Sequence, residues 1–385
     1  MKRTTALLAL VVVTASLLTG CDMVKAGARC RAGAPAGRDA THVLFCTNGR
    51  WKRALTIGQA ANFILSTVPG KIESVTTGIP SAPAGEAISS PLAFKVTSRT
   101  GTPLAKAKVK ISSTGTGAGL SASSPTTGET GADGVVQFLT ATVTSVVGIF
   151  DVTAKVEGTD FVATAKVNVV PAAASKLTIV SGDHQTFTAG SNVPVPMAVK
   201  LTDSFGNPIG GKKILVEWAA GLQSGLAKSV ITTDAGGVAA TPAGTGPGLP
   251  VSTPATAGAF PVYFYAEREF SSVATTFNHT TVAGPPGIIT LESLASPLSA
   301  VAGEAFGEPL AVKVTDFSHN PVSGATVTFT VVPAAGADAV LSAPTAVTGA
   351  DGRAQVTATA GSTAGDYTIT VTSGSASTYF SMRNT

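Results

Sequence analysis

The chain has 385 residues, of which 44 % are hydrophobic and only 12 % are charged. This length predicts roughly two to four domains, with enough apolar side chain for a core in each. The 26 Lys and Arg residues against 22 Asp and Glu give a formal net charge of +4. Such a mild charge argues against nucleic acid as the main partner, because phosphate binding needs a dense basic face.

The segment 1–20 predicts an export signal. Lys2 and Arg3 form its positive start, and the uncharged run 6–18 is too short to span a bilayer, which takes about 20 apolar residues. The motif Leu-Thr-Gly-Cys that ends at Cys21 resembles the lipobox of bacterial lipoproteins. This resemblance implies that Cys21 becomes the first mature residue and carries a lipid anchor (often palmitate-containing) that holds the protein on a membrane. An ordinary signal peptide followed by an incidental cysteine is the alternative.

Two further cysteines, Cys30 and Cys46, are predicted to form a disulfide. Export would place them in an oxidising compartment, where an even pair of cysteines indicates a structural bridge. Redox-active pairs usually have the spacing Cys-x-x-Cys, which is absent here. Between two apolar runs stand Asn48 and Gly49, which tolerate positive φ and predict a tight hairpin turn.

A helix is predicted directly after this hairpin. Thr56 and Gln59 have the spacing of a capping box, and Pro69 and Gly70 are typical of a helix stop. Apolar residues in between recur at helical spacing, so that they form one face: Ile57, Ala60, Ala61, Ile64, Leu65 and Val68. The sequence therefore predicts a small hairpin-plus-helix module over about 28–69.

The segment 21–78, which contains this module and a linker, is the basic part of the chain, with eight Lys or Arg residues against three acids. Its charge is either a solvated face or a surface for anionic lipid head groups or an acidic wall polymer. Candidate ligand contacts are Arg50, Trp51, Lys52 and Arg53. For Trp51, packing on the disulfide is an equally good interpretation.

The rest of the chain is a threefold internal repeat. The pattern Pro-x-Ala-x-Lys-x-Thr begins at Pro91, Pro196 and Pro309. Within it apolar residues alternate with Ala, Lys and Thr, which predicts a half-buried antiparallel strand. Regular turn signals and the lack of a sustained helical period favour two-sheet sandwiches. The expected boundaries are 79–172, 173–284 and 285–385. The second copy has an insertion rich in Pro, Gly and Thr at about 241–258.

The third copy has the most specific signature. Its run from Lys313 to Phe329 contains an Asp-x-x-x-Asn-Pro turn and is followed by Thr-Gly-Ala-Asp-Gly at 348–352. This pattern resembles the bacterial Ig-like domain of the invasin/intimin type. The second copy fits it well, whereas the segment 98–103 of the first copy replaces the turn motif. The resemblance implies an all-β chain of three tandem Ig-like antiparallel β-sandwiches, in a family where such domains stack into rods.

The sequence contains no recognisable catalytic constellation. The four histidines are scattered, and His319 occupies a turn position that holds Gly101 and Gly206 in the other copies, so we expect it to be exposed. Trp218 is expected to point into a core. The recurrent turn aspartates each offer one carboxylate, too few for calcium: Asp133, Asp234 and Asp351. We therefore expect no enzyme, no cofactor and no metal site.

The sequence supports two candidate functions. The first is a lipid-anchored, outward-facing envelope protein whose Ig-like repeats form a structural or adhesive stalk. The second is a lipoprotein whose 28–69 module binds a cell-wall polymer or a partner, with the repeats as spacers. The expected partners are a membrane through the lipid, and a wall polymer, an envelope protein or the surface of a host or neighbouring cell.

Overall fold

The computed structural model describes residues 23–34, 36–114, 117–219, 226–242, 255–266, 272–293 and 297–385. The predicted signal segment, Cys21 and most of the predicted insertion lie outside these residues. The chain divides into two compact units, Met1–Ala173 and Ala174–Thr385.

The first unit begins with a three-stranded antiparallel sheet. Its strands, in the order β1-β2-β3, are β1 (Gly37–Arg38), β2 (His42–Thr47) and β3 (Arg50–Thr56). The predicted hairpin between β2 and β3 is confirmed, with φ of 52° at Asn48 and 71° at Gly49. The predicted disulfide Cys30–Cys46 is also confirmed, with its two Cα atoms 5.7 Å apart.

The predicted helix follows as α1 (Ile57–Thr67). Both hydrogen bonds of the capping box are present: the Gln59 amide donates to Thr56 Oγ1 at 3.1 Å, and the Thr56 amide donates to Gln59 Oε1 at 3.0 Å. None of the helix residues is fully buried, so its apolar face is only partly covered. No helix in the described part of the chain has the length and hydrophobicity to cross a membrane.

Sandwich 1 completes the first unit. Its two sheets have the orders β4-β6-β9 and β5-β11-β10-β7-β8. The strands are β4 (Pro69–Ser74), β5 (Ser81–Pro83), β6 (Leu92–Ser98), β7 (Lys108–Ser113), β8 (Thr127–Glu129), β9 (Val135–Phe138), β10 (Gly148–Val156) and β11 (Val162–Val170). The expected start at residue 79 needs correction, because β4 pairs with β6 and buries Ile72 in the sandwich core.

Sandwiches 2 and 3 form the second unit and repeat this plan. Sandwich 2 contains β12 (Ala174–Ser181), β13 (Thr186–Thr188), β14 (Ala198–Asp203), β15 (Lys213–Ala219), β16 (Leu226–Thr232), β17 (Val238–Ala240), β18 (Gly258–Ala266) and β19 (Ala274–Val282). Sandwich 3 contains β20 (Ile288–Leu291), β21 (Leu298–Ala300), β22 (Leu310–Thr315), β23 (Thr326–Val332), β24 (Ala339–Leu341), β25 (Thr345–Val347), β26 (Arg353–Val356), β27 (Ala358–Ala360), β28 (Gly365–Ser373) and β29 (Ala376–Asn384). The sheets are β12-β14-β17 with β13-β19-β18-β15-β16, and β20-β22-β26 with β21-β29-β28-β23-β25, plus the pair β24-β27.

Each sandwich contains one parallel strand pair, where the repeat pattern predicts antiparallel pairing. The short second strand leaves the three-stranded sheet and pairs with the last strand of the five-stranded sheet: β5 with β11, β13 with β19, and β21 with β29. The chain continues in one direction as it changes sheets, so the pairing is parallel. The first part of each repeat thereby covers an edge of both sheets, which limits edge-to-edge association.

The predicted alternation determines which residues form the three separate cores. The inward residues of the first repeated strand are 0 % exposed in every copy: Leu92, Phe94 and Val96; Met197, Val199 and Leu201; Leu310, Val312 and Val314. Trp218 is 3 % exposed and belongs to the core of sandwich 2, as expected. Full burial of one such side chain contributes about 1.5–3 kcal/mol, so the repeated strands are a main source of stability.

Candidate functional sites

The predicted lipid-bearing residue, Cys21, precedes the first described residue, Met23, which is 67 % exposed. From there the chain enters the sheet edge, where the Val24 amide donates to the Arg38 carbonyl at 2.9 Å. The predicted lipid site is thus three residues from the first backbone hydrogen bond of the module.

The four predicted ligand contacts on β3 do not share a face. Side chains alternate along a strand, so Arg50 and Lys52 lie on one face and Trp51 and Arg53 on the other. Trp51 is half-buried and stands directly opposite Cys46 in the hairpin. This position supports packing beside the disulfide, and it separates the indole from the two exposed cations.

A third cation joins Arg50 and Lys52. The residues before Cys30 run along the free edge of β3, where the Trp51 amide donates to the Ala28 carbonyl at 3.0 Å. This places Arg29 directly opposite Arg50 in an antiparallel bridge. The three exposed side chains Arg29, Arg50 and Lys52 therefore share one face, here called the basic face. The sequence pattern did not indicate Arg29, because only the pairing of distant segments brings it there.

The two described acids of the segment 21–78 are engaged elsewhere. Asp39 Oδ2 accepts from Arg53 Nε at 2.7 Å, and Glu73 Oε2 accepts from Lys71 Nζ at 2.6 Å. The Thr41 backbone amide and Arg53 hold the pKa of Asp39 far below its usual range. Neither acid is paired with a cation of the basic face. Arg29 and Arg50 are like charges directly opposite each other across two strands, an arrangement that is destabilising.

A second candidate site is the contact between sandwiches 2 and 3, centred on the turn 316–321. Asp316 Oδ1 accepts from the amides of Ser318 and Asn320, both at 2.9 Å. Its Oδ2 accepts from Asn320 Nδ2 at 2.9 Å and from the amide of Gly284 in the linker at 2.8 Å. Burial opposes the ionisation of Asp316, but these hydrogen bonds outweigh it and lower the pKa of the carboxyl.

Asn320 extends this contact to the segment that enters β18. Its Oδ1 accepts from the Ala257 amide at 2.8 Å, and its Nδ2 donates to the Ala255 carbonyl at 2.5 Å. Asn320 is only 6 % exposed. The Asp-x-x-x-Asn motif, which the sequence indicates as a turn, therefore also joins two domains. We call Asp316, Asn320, Gly284 and residues 255–257 the 2–3 joint.

The corresponding turn of sandwich 1 joins α1 through different groups. Ser98 Oγ lies 2.8 Å from Thr102 Oγ1, so hydroxyls replace the carboxylate and amide. The Arg99 amide donates to the carbonyls of Leu65 at 3.1 Å and Val68 at 3.2 Å, at the end of the helix. The main chain of this turn thus satisfies orphan carbonyls of the helix C-terminus.

The histidines do not form a common site. His319 is exposed, as expected, and has φ of 65°. His279 lies in the core of sandwich 2 beside the rings of Phe187, Phe260 and Phe277. Burial lowers the pKa of His279 and so favours its neutral form. Among the described residues, no group of three or more His, Cys, Asp or Glu side chains is placed to hold a metal ion.

Residues 294–383 match the family model of the bacterial Ig-like domain (group 1). Sandwiches 1 and 2 share the strand order and the inward positions of sandwich 3, which contains these residues. No curated protein sequence matches the chain.

Several solved structures are similar to this chain. Invasin, described as a bacterial integrin-binding protein, is 21 % identical with a TM-score of 0.40 over 81 % of this chain, which spans 60 % of the invasin chain. The Escherichia coli adhesin FdeC is 17 % identical with a TM-score of 0.45, over 82 % of this chain and 97 % of its own. InvD of Yersinia pseudotuberculosis is 11 % identical with a TM-score of 0.42, over 81 % of this chain and 96 % of its own.

Proposed function

We propose that this protein is a cell-envelope protein whose tandem Ig-like sandwiches form a structural or adhesive stalk, anchored to a membrane by a lipid on Cys21. The observation that carries the proposal is the 2–3 joint. A stalk needs successive domains to hold a defined orientation, and here a buried side-chain network connects two of them. The lipobox-like motif supplies the proposed anchor, and the proposed location is the outer surface of the envelope.

Antibody labelling of intact cells tests the anchor and the location. We expect an antibody against sandwich 3 to label intact wild-type cells and to lose that signal from the cells in a Cys21→Ala variant. A Met23→Ala variant is the matched control, because it changes a neighbouring exposed residue and leaves the proposed lipid site intact. Labelling that requires permeabilised cells would contradict an outward-facing stalk.

Spin labels test the joint. Pulsed electron paramagnetic resonance between labels at the exposed positions 195 in sandwich 2 and 340 in sandwich 3 should give a narrow distance distribution. Asn320→Ala removes the hydrogen bonds to 255 and 257 and should broaden it. Unchanged distances in this variant would show that the side-chain network does not orient the two domains.

The basic face supports a second candidate function, the binding of an anionic envelope polymer or lipid head group. The specific observation is Arg29 opposite Arg50 with no compensating acid in the described module. Phosphate groups placed between such cations would relieve their repulsion. The predicted lipid at Cys21 would bring this face next to anionic head groups, where each Lys or Arg contributes about 1 kcal/mol.

Charge substitution separates this function from the stalk. Arg50→Gln with Lys52→Gln should weaken binding to phosphatidylglycerol vesicles or to polyglycerol phosphate by roughly thirtyfold, the equivalent of about 2 kcal/mol. Lys108→Gln with Lys110→Gln, two exposed lysines on one face of β7, is the matched control. Truncation of the whole segment 21–78 is unsuitable, because it removes β4 from sandwich 1. Equal losses in both double variants would indicate only a general charge effect.

A further inference from the structure

Two tyrosines mark the outer face of the five-stranded sheet in sandwich 2. Along β18, Phe264 and its alternate neighbours point into the core, so Tyr263 and Tyr265 point outward, and both are half-buried. Their rings are inclined by only 20° and their centroids lie 6.5 Å apart. The sheet therefore presents two neighbouring aromatic rings at its surface.

A carboxylate stands beside these rings. Glu217 of β15 is directly opposite Tyr263 and shares its face, yet it is 0 % exposed. Lys228 Nζ lies 3.0 Å from Glu217 Oε1, but neither carboxylate oxygen accepts a well-aligned hydrogen bond from a described residue. Burial of a carboxylate is costly unless hydrogen-bond donors satisfy it, so Glu217 keeps acceptor capacity that the described protein groups leave unused.

The Lys228 side chain covers this carboxylate on the solvent side of the sheet. Lys228 is 46 % exposed, and a ligand reaches the carboxylate when this long side chain moves aside. The pair is neutral overall, which disfavours a strongly charged ligand. A carboxylate acceptor, an ammonium donor and flat apolar rings together suit a ligand that has both hydroxyl groups and apolar C–H surface.

The other two sandwiches lack this combination at the equivalent places. Where sandwich 2 has Tyr263 opposite Glu217, sandwich 1 has Thr153 opposite Ser112 and sandwich 3 has Thr370 opposite Thr330. The place of Tyr265 is taken by a lysine in sandwich 1 and by a threonine in sandwich 3: Lys155 and Thr372. The fold forms without aromatic residues there, so packing alone does not account for them.

We propose that this face of sandwich 2 is a carbohydrate-binding site for a neutral glycan chain. The tyrosine rings stack on the C–H faces of successive sugars, Glu217 accepts hydrogen bonds from sugar hydroxyls, and Lys228 donates one. The site adds a ligand to the molecule that neither the proposed anchor nor the 2–3 joint requires.

The full chain without its predicted signal segment is the protein to test, on an array of neutral oligosaccharides that includes maltoheptaose, cellohexaose, laminarihexaose and mannan fragments. We expect the wild-type chain to bind at least one of them. Tyr263→Thr with Tyr265→Thr should weaken that binding by about tenfold or more, the loss typical of truncated aromatic contacts. Both substitutions introduce the residues that sandwich 3 has at these places, so we expect the fold to be retained.

Tyr379→Thr is the matched control, because it removes an exposed tyrosine, 59 % accessible, that lies on the equivalent sheet of sandwich 3 opposite Thr370. It should bind like the wild type. Glu217→Gln should weaken binding while Tyr263→Phe, which keeps the ring, should retain it. Two results would overturn the proposal: a wild-type chain that binds none of the neutral glycans, including one that binds only aromatic peptides, or a double tyrosine variant that binds as well as the wild type.

Discussion

The same turn is built from different groups in sandwiches 1 and 3. Both turns follow the central strand of the three-stranded sheet and have one residue at positive φ, Gly101 at 82° and His319 at 65°. In sandwich 3 a carboxylate and an amide close the turn and also reach the neighbouring domain. In sandwich 1 short hydroxyl side chains close it, and only the main chain reaches α1.

This difference shows that turn shape and joint chemistry are separable. Hydroxyl groups satisfy the turn but are too short to extend beyond it, so the helix contact depends on the backbone of Arg99. The longer Asn320 side chain can serve both the turn and the adjoining loop. Different substitutions should therefore disrupt the 2–3 joint and the contact between α1 and sandwich 1.

The largest expected effect is that of Asp316→Ala. The substitution leaves the amides of Ser318, Asn320 and Gly284 without their acceptor. The loss costs about 1–3 kcal/mol for a buried group such as the amide of Asn320, and less for the other two. We expect sandwich 3 to lose roughly 3–5 kcal/mol of unfolding free energy. Ser98→Ala in the matching turn of sandwich 1 should cost only about 1 kcal/mol. Scanning calorimetry of the two variants measures both losses of stability. Equal decreases in the unfolding temperatures of the two sandwiches would contradict the expected difference.

Gly70→Ala should disrupt the joint between α1 and sandwich 1. A methyl group at this position would lie 2.6 Å from backbone atoms of Ser98 and Arg99, which forces the turn away from the helix end and costs about 1–3 kcal/mol. Gly58→Ala is the control, because a methyl group there meets nothing within 4 Å. Hydrogen exchange of peptides from α1 and β6 should increase only in the first variant.

Low pH should weaken the 2–3 joint, because it protonates the carboxylate of Asp316. The pKa of this carboxyl is lower in the folded state than its ordinary value of 3.8, so the unfolded chain binds the proton more readily. Its stabilising contribution is therefore present above about pH 4 and is lost as the pH falls through the folded pKa. The stability difference between the wild type and Asp316→Asn should shrink from about pH 6 to about pH 2.5. A constant difference would exclude this linkage.

The smallest effect concerns the positive-φ position of the turn. His319→Gly should raise the stability of sandwich 3 by about 0.5–1 kcal/mol, because glycine adopts this conformation without strain. Gly206→Ala at the matching position of sandwich 2 should lower stability by a similar amount, although a methyl group there meets no atom within 4 Å. Chemical denaturation measures both changes. A destabilised His319→Gly variant would show that the histidine side chain makes a contribution larger than the strain.

The sequence by itself determined the all-β architecture, the three cores, the disulfide, the hairpin and the capped helix. The strands, the hairpin and the helix depend on local signals, such as alternation along a strand, Asn-Gly in a turn and the Thr56–Gln59 spacing, whose physical effect is complete within a few residues. The tertiary structure alone decided how distant segments meet: β4 in sandwich 1, Arg29 opposite Arg50, the extension of the Asn320 turn to residues 255–257, and Glu217 beside Tyr263. No local pattern encodes such pairings, because they arise when strands far apart in the chain are brought side by side to bury their apolar faces.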